Sequence, residues 1–224
     1  MTQDSVFPSD SEKLLELRGA LNILLAAGIA DDPIDHARQV GMITSLIADA
    51  FESAGMQVTL VGGSAIEMFA PGIFKTGDID LVIEAIRGKS ARSQLDPVFA
   101  ALGFEKSGRH WRRGDLYVEV PSQSLTDPSE LVRVGHFPLR VVAKEVLLVD
   151  RVVGFKHWRY TGYGAQAIQM IAAFGDSLNE SVLRPRLERE GAVDAYEALS
   201  ALATAGAALA DEDLVRLLEQ LHAR

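Results

Sequence analysis

No cysteine occurs anywhere in the 224 residues. That excludes disulfides and thiolate metal sites, and it fits a cytoplasmic protein. No apolar run reaches the roughly 18 residues a membrane-spanning helix needs, so no membrane contact is expected. The N-terminal MTQDSVFPSD is acidic and lacks the basic-then-apolar pattern of a secretory signal. Positive charge is in deficit, with a net charge of −9. That argues against a general nucleic-acid binder while leaving room for a local basic pocket around one nucleotide or one RNA end. Histidine is present at only five positions, His36, His110, His136, His157 and His222, without ligand spacing. A zinc site is therefore not expected. Nor is there an internal repeat. What remains is an ordinary globular composition, 48% hydrophobic and 24% charged, in a length that suits one large domain or two small ones.

The chemistry concentrates between Val58 and Glu84. Val58, Leu60 and Val61 predict a buried strand that ends at the turn Gly62-Gly63-Ser64. A short helix over 65–69 follows, with Ser64 as its N-cap and Glu67 at capping-box spacing. Pro71-Gly72 breaks it. In Asp78-Ile79-Asp80-Leu81-Val82-Ile83 the alternation places Ile79, Leu81 and Ile83 on one face and both carboxylates on the other. Two like charges so placed repel unless a cation sits between them. Mg2+ (or Mn2+) suits such a site, since carboxylates, waters and substrate phosphates complete its shell. The glycine turn adds backbone N–H groups at a helix start, where phosphate is favoured. Gly62-Gly63 also reads simply as a turn that needs positive φ. Lys75 and Thr76 read either as phosphate contacts or as loop formers.

Along the rest of the chain, apolar periodicity predicts helices over 11–27, 34–54, 93–102, 145–158, 165–174, 177–190, 192–203 and 211–222. In the first of these, Leu14, Leu15, Leu17, Leu21, Leu24 and Leu25 form the apolar stripe. It reads as a packing helix or as a partner-binding element. Residues 1–10 read as a frayed terminus, 86–90 as a polar loop and 160–164 as a turn. Further strands are expected at 104–105, 116–120 and 137–142. Within 116–120, Glu119 and Tyr117 face away from Leu116, Val118 and Val120. Arg109, Arg112 and Arg113 around Trp111 read either as a phosphate or RNA clamp with a stacking indole, or as a solvated hairpin tip. The fold class is α/β (α+β), a mixed sheet flanked by helices with a helical C-terminal part. The organisation is 1–56 as N-terminal helices packing on the core, 57–143 as the α/β core and 144–224 as a helical region.

Gly62-Gly63-Ser64, thirteen residues, then Asp78-Ile79-Asp80-Leu81 resembles the signature of the DNA polymerase beta-like nucleotidyltransferase superfamily. Within it the chain looks closest to small bacterial members related to abortive-infection toxin–antitoxin toxins. The motif spans about 25 residues, and a fainter likeness continues to about residue 175. The resemblance implies a metal-dependent transfer of a nucleotidyl group from an NTP to a protein hydroxyl, an RNA end or a small molecule. It further implies an antitoxin or other protein partner. Asp78 and Asp80 become catalytic metal ligands. Glu119 stands where the family carries a third carboxylate, usually Asp. Gly62, Gly63 and Ser64 hold the triphosphate. Lys156, three turns after Glu145, meets the nucleotide phosphates. An Asp that often opens the next helix is missing here, with Gln166 or Asp176 left to stand in. That departure, and the Glu at the third position, equally suit a non-catalytic binding or regulatory module of the same fold.

Overall fold

A computed structural model describes residues 11–73, 75–86, 91–206 and 211–223. The expected frayed terminus, most of the 86–90 loop and part of the Ala-rich 201–210 stretch lie outside the described residues. The chain folds into two compact units.

The first unit holds α1 (Ser11–Ala26), α2 (Pro33–Ser53), β1 (Met56–Val61), α3 (Gly62–Phe69) as far as Met68, β2 (Ile79–Ala85) and α4 (Arg92–Ala101). It continues through β3 (Glu105–Ser107), β4 (His110–Arg113), β5 (Leu116–Ser122), β6 (Ser129–Val134) and β7 (Phe137–Val142). The strands form one mixed sheet in the order β3-β4-β5-β2-β1-β7-β6. The expected fold class, a mixed sheet flanked by helices, is the one observed. β1 and β2 are antiparallel at its centre, β5 and β7 join them in parallel, and a hairpin closes each side.

α2 starts where local chemistry dictates. Asp32 accepts the N–H groups of Ile34 and Asp35 at 2.9 and 3.1 Å, and Pro33 opens the helix, where its missing N–H costs nothing. Val40, Ile43, Ile47 and Phe51 then recur at helical spacing and are buried where α2 crosses the sheet. Each such side chain contributes roughly 1.5–3 kcal/mol when removed from water. α1 buries Leu17 and Leu21 of its predicted stripe, whereas Leu15 faces solvent.

Two strands differ from the sequence reading. The sequence reads the β4 segment as a phosphate or RNA clamp or as a hairpin tip, and it predicts no strand at β6. Both are polar: β4 buries only Trp111 of its four residues, and β6 runs along the sheet edge with Val134 as its one buried side chain. A strand whose place is set by partners rather than by alternation leaves little periodic signal.

The second unit holds α5 (Lys144–Trp158), α6 (Thr161–Phe174), a 3-10 turn at Gly175–Ser177, α7 (Glu180–Arg189), α8 (Val193–Ala205) and α9 (Asp211–His222). α6 begins at Thr161, so the expected turn over 160–164 is mostly helix. Its glycines have a packing reason. A Cβ on Gly164 would come within 2.6 Å of the buried Phe155 ring, and one on Gly154 would overlap Tyr163. Glycine here lets α5 and α6 approach closely. α7 starts at Glu180, with Asn179 as its cap, and runs through Pro185 without splitting. Among the described residues, no helix is long and apolar enough to cross a membrane.

Candidate metal centre

Strand register assembles the site. β1 ends at Val61, directly opposite Asp80 of β2. Gly62 then turns the chain into α3 at φ +64°, and a Cβ there would overlap the Asp80 carboxylate. Glycine is needed twice over at this position, for the left-handed backbone and for the close approach. Asp80 lies beside Glu119 of β5, and Glu119 lies opposite His110 of β4. Val61, Asp80, Glu119 and His110 thus form one row across four strands, and in-register neighbours share a face.

Asp78, just before β2, completes the cluster. Its Oδ2 is 3.7 Å from His110 Nε2, which is itself 3.4 Å from Glu119 Oε2. One donor atom from each of Asp78, His110 and Glu119 lies within 4.8 Å of the others, all on half-buried side chains. Donors bound to one ion about 2.1 Å away stand about 3–4 Å apart, so this triangle is close to the size that one divalent ion spans. Arg109 Nε also approaches Glu119 Oε2, at 3.4 Å.

The segment that carries Asp78 is held from beneath. Ser64 is buried inside the first turn of α3, and its hydroxyl donates to the Asp78 carbonyl at 2.9 Å. It is therefore not the N-cap that the spacing suggested. Thr76 donates its hydroxyl to Asp78 Oδ1 at 3.2 Å and its N–H to Glu67 Oε1 at 2.7 Å. Glu67 is likewise not part of a capping box. Its other oxygen lies 3.2 Å from His36 Nε2, and both side chains are at least 95% buried. At that distance the two groups are in polar contact, without the alignment of a hydrogen bond at either ring nitrogen. Lys75 reaches the Ala30 carbonyl at 3.3 Å and Asp31 at 3.8 Å, so Lys75 and Thr76 shape the loop. A cavity of about 390 Å³ opens beside this segment, lined among others by His36, Lys75, Asp78 and Asp115.

Burial pushes the Glu67 carboxyl above its ordinary value of 4.5, against the lowering pull of the Thr76 N–H, His36 and Lys75. A carboxyl with a raised folded pKa keeps its proton longer in the fold than in the unfolded chain. Its contribution is therefore most favourable below the ordinary value and is lost as pH rises through the raised one. Glu67→Gln retains an acceptor for the Thr76 N–H and removes the titration. The variant is expected to gain on the wild type as pH goes from about 4 to about 7, read from urea midpoints. A stability difference that stays flat over that range would show that the carboxyl is not raised.

The other predicted residues are distributed as follows. Asp78, Asp80, Glu119 and Gly62 meet in one place. Gly63 is buried in the first turn of α3. Trp111 is buried, stacked on Phe99 at 4.6 Å, and donates its indole N–H to Asp96 at 2.9 Å, so it is not a base-stacking platform. Arg113 binds the Leu102 carbonyl at 2.7 Å and Asn22, and Arg112 binds the Gly114 carbonyl at 2.7 Å. Of that cluster, Arg109 is the member that reaches the site. In the second unit, Lys156 binds Asp194 at 2.6 Å and the Gly191 carbonyl at 2.7 Å. Glu145 accepts the Asn179 N–H at 2.7 Å, and Gln166 accepts from Arg151 at 2.7 Å.

His110 was missed because ligand spacing was sought along the chain. The signal that finds it is the hairpin. With the turn at Gly114-Asp115, counting back from Glu119 reaches His110 as its partner.

No family model matches the chain, and no curated protein matches it. Among solved structures, the chain is similar to an antigenic nucleotidyltransferase-like protein from Paracoccidioides brasiliensis. The identity is 16% and the TM-score 0.48, over 71% of this chain and 91% of that one.

Proposed function

We propose that this chain is a metal-dependent nucleotidyltransferase. The observation that carries the reading is the convergence of Asp78, Glu119 and His110 within 4.8 Å at a strand end where Gly62 turns against Asp80. The resemblance of Gly62-Gly63-Ser64 and Asp78-Ile79-Asp80 to the superfamily signature supports it. Asp78, Asp80 and Glu119 are the carboxylates that would hold Mg2+ or Mn2+, with His110 beside them. A bound divalent ion supplies charge neutralisation at the phosphates and favours in-line attack.

The chain's own groups account for the rest. The backbone N–H groups of the Gly62-Gly63 turn are the proposed phosphate contacts, and Arg109 adds positive charge beside Glu119. Ser64, buried beneath, fixes Asp78 through its carbonyl. Glu119 takes the proton of the attacking hydroxyl. The acceptor oxygen bonds to the α-phosphorus, the bond to the β-phosphate oxygen breaks, and pyrophosphate leaves. The acceptor is a protein hydroxyl, an RNA end or a small molecule, and an antitoxin-like protein is the proposed restraining partner. A phosphate role for Lys156 requires its ammonium to exchange Asp194 for the nucleotide.

Incubation with each labelled NTP and Mg2+ or Mn2+, with products resolved by mass, tests the proposal. A nucleotidyl adduct and pyrophosphate are expected with at least one NTP. A second reading is favoured by the approach of Arg109 and His110 to Glu119, which offers the carboxylates partners without an ion. Absence of both NTP binding and pyrophosphate release would replace the enzyme with that non-catalytic module.

A further inference from the structure

The superfamily signature implies an all-carboxylate site, and this chain places an imidazole in it. Resting on the proposed metal site, we infer that His110 is a metal ligand. The site consequently takes a first-row transition ion of the Mn2+ class in preference to Mg2+.

Three observations carry this. First, His110 Nε2 is the atom that approaches both acids, 3.4 Å from Glu119 Oε2 and 3.7 Å from Asp78 Oδ2. The ring thus presents a nitrogen where two carboxylate oxygens converge. Second, the placement is enforced by backbone. The antiparallel β4–β5 register fixes His110 opposite Glu119, and the neighbouring pair, Trp111 opposite Val118, is anchored in the core. A rotation of His110 away from Glu119 is further restricted by Tyr117, whose ring meets it edge-on at 6.1 Å. Third, the donor set is two oxygens and one nitrogen. Mg2+ favours an octahedron of oxygens and retains its waters. Affinity for nitrogen-containing sites rises from Mn2+ along the first-row series, and imidazole suits its later members. A ring nitrogen therefore moves the preference away from Mg2+ toward first-row ions, of which Mn2+ is the spectroscopic probe.

The experiment uses the full chain. Mn2+ binding is titrated by electron paramagnetic resonance, with and without competing Mg2+, and the bound ion is examined by pulsed resonance for coupling to an imidazole nitrogen. The expected result is nitrogen coupling in the wild type and Mn2+ binding at least about tenfold tighter than Mg2+. His110→Ala should lose the coupling and at least about tenfold of the Mn2+ affinity, the loss that even an outer partner of a metal ligand carries, with a smaller loss for Mg2+. Mn2+ bound without nitrogen coupling would overturn the inference and leave the proposed function standing. So would a Mn2+/Mg2+ preference unchanged in His110→Ala. Failure of the wild type to bind either ion would remove both. Because the coupling is read on the wild type, the test survives a variant that does not fold.

Discussion

Asp78→Asn is expected to cut nucleotidyl transfer on the order of 10³-fold and to leave the folded state within about 1 kcal/mol of the wild type. The two halves of this prediction follow from different atoms of one residue. The carboxylate is a donor of the candidate metal centre, and an amide is a poor ligand for a hard divalent ion. The structural bond to this residue is made by its backbone carbonyl, which accepts the Ser64 hydroxyl and is unchanged by the substitution. The Asn side-chain oxygen can still accept from Thr76, as Asp78 Oδ1 does at 3.2 Å. Like-charge repulsion with Glu119 also falls. Pyrophosphate release and a urea titration on the same preparation check both halves. A variant that loses several kcal/mol would show that the Asp78 carboxylate is a structural group.

Trp111→Ala is expected to cost about 3–5 kcal/mol, which in a chain of this size lowers Tm by roughly 6–20 °C. The indole is 96% buried, stacked on Phe99, under the Lys106 ammonium at 3.1 Å and bonded to Asp96. Phe99 in turn meets Phe51 and Phe104, at 4.9 and 5.5 Å, so the deleted ring leaves a hole in the aromatic cluster between α2, α4 and the sheet. Trp111→Phe should recover part of that loss, because it keeps an aromatic ring against Phe99 while giving up the Asp96 bond and some buried volume. Thermal melts of the two variants measure the difference. Equal stability of wild type and Trp111→Ala, with weakened nucleotide binding, would return the indole to the role of a stacking platform. The two sites are linked through β4. Trp111 anchors the strand whose adjacent residue is His110, so loss of the ring should also loosen the candidate metal centre.

Glu119 and His110 show how far the sequence carries. Glu119 was legible as a site residue because it alternates with Leu116, Val118 and Val120 in a strand of clear period. His110 was not, because His-Trp-Arg-Arg has one buried side chain in four and no period to read. Ser64 and Glu67 were legible as helix-start residues from spacing. Spacing could not tell that their side chains turn to the loop at Thr76 and Asp78 instead of to helix N–H groups, since those partners lie nine and fourteen residues away.

What the amino-acid order alone determined is local: which stretches are helical, the glycine at the turn, and the face on which Asp78 and Asp80 stand. Each follows from backbone sterics or a two- or four-residue period, which neighbouring residues suffice to define. Which strands pair, and in what register, was decided only in the tertiary structure. Register depends on burying side chains across the whole sheet, and a slip of one residue would send Glu119 and His110 to the opposite face. The candidate centre exists because that choice brought a loop carboxylate, a strand carboxylate and a hairpin imidazole to one place.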